Sequence, residues 1–203
     1  MKRQMALALM AFFMICTGIS AQSRNHVVWQ MALLKWDGSG YRSVPFQRPL
    51  DMVQDDSFQI KIQAEADCFC YVVMEDEKGV SDFVFNTPLK KGVAVILPEE
   101  DDDFVIPVPG TSGTIQINVI VSVTPVSDLA ALLQQYSGGQ RTATLNGAIG
   151  DRLKSLKSIA ATIPAEPVET VAMAGSETRG TFTTASQFKG QEIYVRTVII
   201  NNK

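Results

Sequence analysis

The side chains that could carry out catalysis are few, and their spacing completes none of the common catalytic motifs. His26 is the single histidine of the chain, whereas a serine or cysteine triad needs a histidine beside a nucleophile. The sequence has no G-x-S-x-G elbow, no H-E-x-x-H zinc motif and no glycine-rich phosphate loop. A glycosidase would need two carboxyl groups across a cleft, and no spacing here places two of them together. We therefore predict a protein that is not an enzyme and that binds no cofactor, with a hydrolase as the least favoured alternative.

Two groups of residues could bind a metal ion, and both have a simpler interpretation. The run from Glu99 to Asp103 is entirely acidic and offers the oxygen ligands that Ca²⁺ takes. It lacks the alternating spacing and the glycine of a chelating loop, and is typical of a solvated connector. Cys68 and Cys70 would point to the same face of a strand, where a disulfide between them would be strained and one histidine does not complete a zinc site. We predict that both cysteines are small buried apolar residues, and we predict no metal site.

The aromatic residues are the remaining candidates for recognition. Trp36 and Tyr41 flank a turn of sequence Asp-Gly-Ser-Gly at residues 37–40, and we expect both to be partly exposed. Other aromatic residues on strand positions, such as Trp29 and Tyr71, are expected in the core. Trp36 and Tyr41 are therefore the predicted ligand or partner surface.

The elements that would position these residues are short strands separated by turns. Runs rich in β-branched and aromatic residues predict strands at 27–36, 41–46, 57–63, 68–74, 80–86, 93–97, 104–108, 115–123 and 191–200. Between the last two of these the apolar period becomes helical, at 127–137 with Ser127 as the N-cap and at 147–163. This spacing indicates a mainly β fold, an antiparallel, immunoglobulin-like β-sandwich with two late α-helices that cover one end or edge. We expect a single domain over residues 22–203, with the helical insertion at about 127–163.

Two of these strands carry predictions about their surroundings. In the strand at 57–63, apolar residues alternate with polar ones, which predicts one buried face and one wet face. The predicted wet face consists of Ser57, Gln59, Lys61 and Gln63. The strand at 68–74 is apolar on both faces, so we expect it in the middle of a sheet that is covered on both sides.

The first 21 residues have the layout of a secretory signal peptide. Basic residues at positions 2 and 3 precede an apolar run from Met5 to Ile15 and a small-residue exit, and we expect cleavage after Ala21. The run is too short to cross a bilayer, which takes about 20 residues. Cys16 follows an isoleucine, whereas bacterial lipid attachment requires a small residue there, so we do not expect a lipoprotein. We predict a periplasmic or secreted protein with no transmembrane segment after cleavage.

The charge balance excludes two classes of partner. The chain has 18 basic and 21 acidic side chains, a net charge of −3, and signal cleavage would remove basic residues from it. Nucleic-acid binding usually needs a basic footprint, and an anionic membrane surface attracts basic segments. We expect neither as a partner.

Several short motifs in the middle of the chain follow one another in a recognisable order. They are the alternating strand at 55–62, Phe69-Cys70-Tyr71, the acidic turn that ends at Gly79, Phe83-Val84-Phe85-Asn86, Leu97-Pro98, and Ser122 with Pro125. In this order they resemble the bacterial family called domain of unknown function 4384, over about residues 50–135. The chain departs from the family pattern at Asp55, where the family has glycine, and in the strand at 83–86, where the family's proline is replaced by Val84 or shifted to Pro88. The resemblance implies an exported β-sandwich that serves as an accessory or binding module, and it supplies no catalytic residues.

Together these features predict a non-enzymatic binding or scaffold domain of the bacterial cell envelope. Its partner would be an envelope protein or a small ligand. The alternative is a small-ligand carrier that uses the space between the sheet and the helices.

Overall fold

The computed structural model describes residues 26–98, 103–106, 113–162, 168–173 and 183–203. The predicted signal peptide and the acidic residues 99–102 lie outside the described residues. The described part forms two β-sheets packed face to face, with two helices on one side. The strands are β1 (His26–Trp36), β2 (Tyr41–Val44), β3 (Leu50–Met52), β4 (Ser57–Ala64), β5 (Cys68–Asp76), β6 (Gly79–Leu89), β7 (Ala94–Leu97), β8 (Phe104–Val105), β9 (Thr114–Ser122), β10 (Glu169–Met173), β11 (Thr183–Gln191) and β12 (Ile193–Asn202), and the helices are α1 (Ser127–Ser137) and α2 (Ala143–Ala161).

The two sheets have different strand orders. The first sheet runs β10-β11-β1-β4-β7, with β2 also paired to β1 and β8 also paired to β4. The second sheet runs β3-β12-β9-β5-β6. Among the described strands, the pairing is antiparallel except between β12 and β3, which run parallel. The mainly β sandwich with two late helices, predicted from the sequence, is confirmed.

The core lies between the two sheets, and β5 contributes side chains both to this core and to a second apolar cluster on its other face. Cys70 and Val72 face the core between the sheets and are fully buried. Tyr71 and Val73 point the other way, into a second apolar cluster beneath the helices. The strand lies between β9 and β6, so the prediction of a central strand covered on both faces is confirmed.

The helices cover the outer face of the second sheet. Their apolar stripes pack on that face through Leu129, Leu133, Leu145, Ile149, Leu153 and Leu156. They also bond to the edge strand β6 at Val80, whose carbonyl oxygen accepts a hydrogen bond from Tyr136 Oη at 2.8 Å. The helices therefore contact one edge strand, and most of their buried side chains lie on the sheet face.

The first helix covers the predicted range, but its N-cap is Val126 rather than Ser127, and no side chain caps it. The Val126 N–H instead ties this helix start to the sheet, because it donates to Tyr71 Oη at 2.9 Å. Helix α2 begins earlier than Gly147, because Thr142 Oγ1 accepts a hydrogen bond from the Leu145 N–H and caps a helix that starts at Ala143.

Three described strands were not predicted. β3 is very short, β10 lies in a segment interpreted as a loose excursion, and β11 is largely polar. The helices consequently lie between β9 and β10, with three strands after them, rather than directly before the last strand.

The outer face of β4 is less exposed to solvent than its sequence predicts. Gln59 and Lys61, which were expected on a wet face, are only 5% and 2% exposed. Lys61 lies opposite Ala32 on β1 and Ile96 on β7, and the small alanine leaves room for the aliphatic stem of a lysine along the sheet. Burial lowers the pKa of Lys61.

Candidate functional site

The hairpin between β1 and β2 brings the two predicted recognition residues together. Asp37 Oδ1 accepts hydrogen bonds from the Ser39 N–H at 2.9 Å and the Gly40 N–H at 3.1 Å, an Asx-type turn that reverses the chain. Gly38 has φ of +92°, a conformation that glycine adopts without strain. As a result Trp36 and Tyr41 are direct cross-strand partners.

The two rings form an oriented aromatic pair. The centroids of Trp36 and Tyr41 are 5.3 Å apart and their planes are inclined at 62°, an edge-to-face contact. Trp36 is 44% exposed and Tyr41 is half-buried. The other tryptophan, Trp29, is fully buried and stacks on Phe188 in the core with centroids 4.6 Å apart. The exposure of the two predicted residues is therefore as expected, whereas their role as a ligand surface stays a prediction.

Two polar residues that sequence reasoning did not assign complete this surface. Asp103 Oδ1 accepts hydrogen bonds from Tyr41 Oη and from Gln59 Nε2, the latter at 3.1 Å. The pairing of β8 with β4 brings Asp103 here, because Phe104 lies opposite Phe58. The acidic run was the only sequence signal, and it gave no indication of which strand Asp103 would meet. We call Trp36, Tyr41 and Asp103 the aromatic surface, and the buried Gln59 supports it through its hydrogen bond to Asp103.

Neighbouring groups shift the pKa values of Tyr41 and of Asp37 in the adjoining turn. Partial burial, together with the hydrogen bond to Asp103, raises the pKa of Tyr41 to about 12. The phenol therefore keeps its proton at neutral pH and stays a donor. At the turn, backbone and side-chain hydrogen bonds from Ser39 lower the pKa of Asp37, and Asp37 forms an ion pair with Arg42.

The other candidate residues lie apart from the aromatic surface. His26 is exposed at the start of β1. Cys68 and Cys70 are free and buried, and burial raises both thiol pKa values, that of Cys68 to about 11. The prediction that the cysteines are buried apolar residues is confirmed. No group of three metal-ligating side chains is found within the described ranges.

The layer between the helices and the second sheet was the predicted space for a carried ligand. In the described part of the chain it is filled by buried side chains from both elements. A concave pocket of about 440 Å³ lies instead on the first sheet, beside β2.

Comparisons with protein-family models, with curated proteins and with solved structures found no significant match to this chain. The resemblance to domain of unknown function 4384 stays a prediction. None of the described helices has the length and apolar character needed to span a membrane.

Proposed function

We propose that this chain is a non-enzymatic binding domain exported to the bacterial cell envelope, and that it contacts its partner through the aromatic surface. The observation that carries the proposal is the exposure of Trp36, which is 44% accessible although its ring packs against Tyr41. Tryptophan and tyrosine are among the residue types that contribute most of the binding energy at protein interfaces. An exposed tryptophan in a fixed orientation is a ready anchor for a partner.

The polar group beside the rings supports the same interpretation. Asp103 is exposed and places a carboxylate next to the aromatic pair, and interfaces typically surround an aromatic centre with a polar rim. Tyr41 is held by its bond to Asp103. A surface that is already ordered loses less conformational entropy when a partner binds.

Site-specific photo-crosslinking tests the proposal. A photoreactive phenylalanine analogue replaces Trp36 in the full chain, produced in its own bacterium, and we expect one discrete crosslinked partner. The matched control is Ile159 on α2, which is 45% exposed and lies over the other sheet. The same adducts from both positions, or none from position 36, would contradict the proposal.

Once the partner is identified, the contribution of Trp36 to the binding free energy can be measured. We expect Trp36→Ala to weaken binding by about 2 kcal/mol, roughly 30-fold, as is typical of a tryptophan at the centre of an interface. Ile159→Ala should leave the affinity within about twofold, because surface changes away from an interface have little effect. Binding measured by calorimetry with both variants decides between these outcomes, and equal effects would show that Trp36 is not the anchor.

A further inference from the structure

The first sheet contains a gap between strands, and the gap forms a pocket. Strand β11 pairs with β1 as far as Ser186 opposite Met31, and β2 takes over the same side of β1 from Leu33 opposite Val44. The two strands diverge at this point, and a pocket of about 440 Å³ opens between them. This volume falls within the range of about 300–1,000 Å³ for small-molecule sites.

The described residues that line this pocket are a mixture of polar and apolar types. Five of its side chains end in a hydroxyl or an amide, and they are Ser43, Gln47, Thr170, Thr184 and Ser186. Each of these groups can both donate and accept hydrogen bonds. None of the described residues that line the pocket is ionisable. On β10 and β11, the strands that carry Thr170 and Ser186, Glu169 and Lys189 form an ion pair of 3.3 Å.

The walls of the pocket are held by hydrogen bonds between lining residues and by contacts of Phe46 with Arg196. Gln47 Nε2 donates to Ser186 Oγ at 2.8 Å, and Ser43 Oγ donates to the Thr184 carbonyl oxygen. Phe46 is only 3% exposed, and its carbonyl oxygen accepts a hydrogen bond from Arg196 Nη2 at 3.2 Å. The guanidinium group of Arg196 also lies over the Phe46 ring, 5.8 Å from its centroid. The site is therefore formed before any ligand arrives.

We infer that this pocket binds a neutral, polyhydroxylated ligand of the size of a sugar. Such a ligand exchanges hydrogen bonds with hydroxyl and amide groups through its own hydroxyls, and its C–H faces suit the apolar residues Val44 and Pro45, which also line the pocket. A charged ligand would lose its hydration without gaining an opposite charge, which is strongly unfavourable. The inference goes beyond the proposed function, because no residue of the aromatic surface lines the pocket.

Ligand-observed NMR and calorimetry with the purified full chain test the inference. The probes are glucose, galactose, N-acetylglucosamine and maltose, with glucose 6-phosphate and glucuronate as charged counterparts. We expect at least one neutral sugar to bind saturably and the charged counterparts to bind at least tenfold more weakly. The absence of saturable binding by every neutral sugar, or a preference for a charged one, would overturn the inference.

Variants of the lining residues test whether the sugar binds in this pocket. The double variant T170V/T184V removes two hydroxyls and keeps two β-branched strand residues, and it should reduce the affinity about 30-fold, because two hydrogen bonds of about 1 kcal/mol each are lost. The larger T170F should fill the pocket and abolish binding. The control T87V makes the same change on β6 of the second sheet and should bind as the wild type does. Unchanged affinity in T170F would assign the sugar to another site and overturn the inference.

Discussion

At the scale of single residues, the most informative charge is Asp56, which closes the turn before β4. Its Oδ2 atom accepts hydrogen bonds from Lys35 Nζ at 2.6 Å and from the Val53 N–H at 2.9 Å. The side chain is only 18% exposed. Burial opposes the charge of Asp56, but the contacts with Lys35 and Val53 outweigh it and lower the pKa of the carboxyl. Asp56 thus both closes a turn and forms an ion pair with Lys35 of β1.

This lowered pKa predicts how stability depends on pH. A carboxyl whose pKa is lower in the folded than in the unfolded chain stabilises the fold above the unfolded value of about 3.9, and the contribution is lost as the pH falls through the folded value. We expect Asp56→Asn to reduce the free energy of unfolding by about 1 kcal/mol at pH 7, because the pair is only partly shielded from solvent. Urea denaturation between pH 7 and pH 3 should show the gap between wild type and variant closing below about pH 4.

The matched control is Asp67, whose pair with Lys90 is 3.2 Å long and largely exposed. Asp67→Asn should have a smaller effect at neutral pH than Asp56→Asn, since solvent screens the exposed pair. A gap for Asp56→Asn that stays constant from pH 7 to pH 3 would contradict the assignment of the stabilisation to the charge of Asp56.

At the scale of elements, the helices protect the edge of the second sheet at one residue. Val80 lies on the edge strand β6, and its backbone groups that face away from β5 are both used by the helices. Its N–H donates to Asn146 Oδ1 at 3.1 Å, and its carbonyl oxygen accepts from Tyr136 Oη at 2.8 Å. An unpaired edge offers a template for pairing with another chain, so these two bonds close a site of potential aggregation.

Removing either bond should expose the edge. We expect Tyr136→Phe to reduce the free energy of unfolding by about 1–2 kcal/mol, because the buried carbonyl of Val80 loses its partner. Asn146→Ala should accelerate hydrogen exchange of the Val80 amide, measured by NMR or mass spectrometry. The control is Tyr41→Phe, which removes an exposed phenol bond and should have a smaller effect on stability. Unchanged exchange at Val80 in Asn146→Ala would show that the helices do not protect the edge.

An element could be predicted when its own sequence determines its conformation, and not when its conformation depends on distant strands. β5 is apolar on both faces, so its own sequence indicates both its conformation and its central place. β11 has the sequence Thr-Thr-Ala-Ser-Gln-Phe-Lys-Gly-Gln, with Phe188 as its single large apolar residue. It is a strand because β1 and β10 pair with it on either side, and strand propensity depends strongly on such context. No local pattern could have indicated that pairing.

The residues of the candidate site differ in the same way, because the local sequence predicts the positions of some of them and not of others. Trp36 and Tyr41 are joined by a short turn, and the turn residues predict that they meet. Gln59 and Asp103 meet them only through the pairing of β4 with β1 and β8, which is a long-range property of the fold. The pocket beside β2 is similarly invisible in the sequence, because it arises where β11 and β2 diverge along β1.

At the scale of the whole molecule, the outer faces of the two sheets differ in what they contact. The second sheet uses its outer face to hold the helices, which pack on it through a continuous apolar cluster. The first sheet carries both the aromatic surface and the pocket beside β2. The two candidate recognition sites thus lie on one sheet of the sandwich, while the helices cover the other. The location predicted from the first residues of the chain is outside the cytoplasm.

That location gives the final prediction, which concerns the mature chain. We expect the exported protein to begin at Gln22, so that its intact mass lacks residues 1–21, including Cys16. Ala21→Leu should slow or abolish this processing, because cleavage follows a small residue. Asn25→Leu, which places the same side chain just beyond the exit, should be processed normally. A protein from the exported fraction that keeps residues 1–21 would refute the cleaved signal, and one that begins at Cys16 with the added mass of lipid would establish the membrane-tethered alternative.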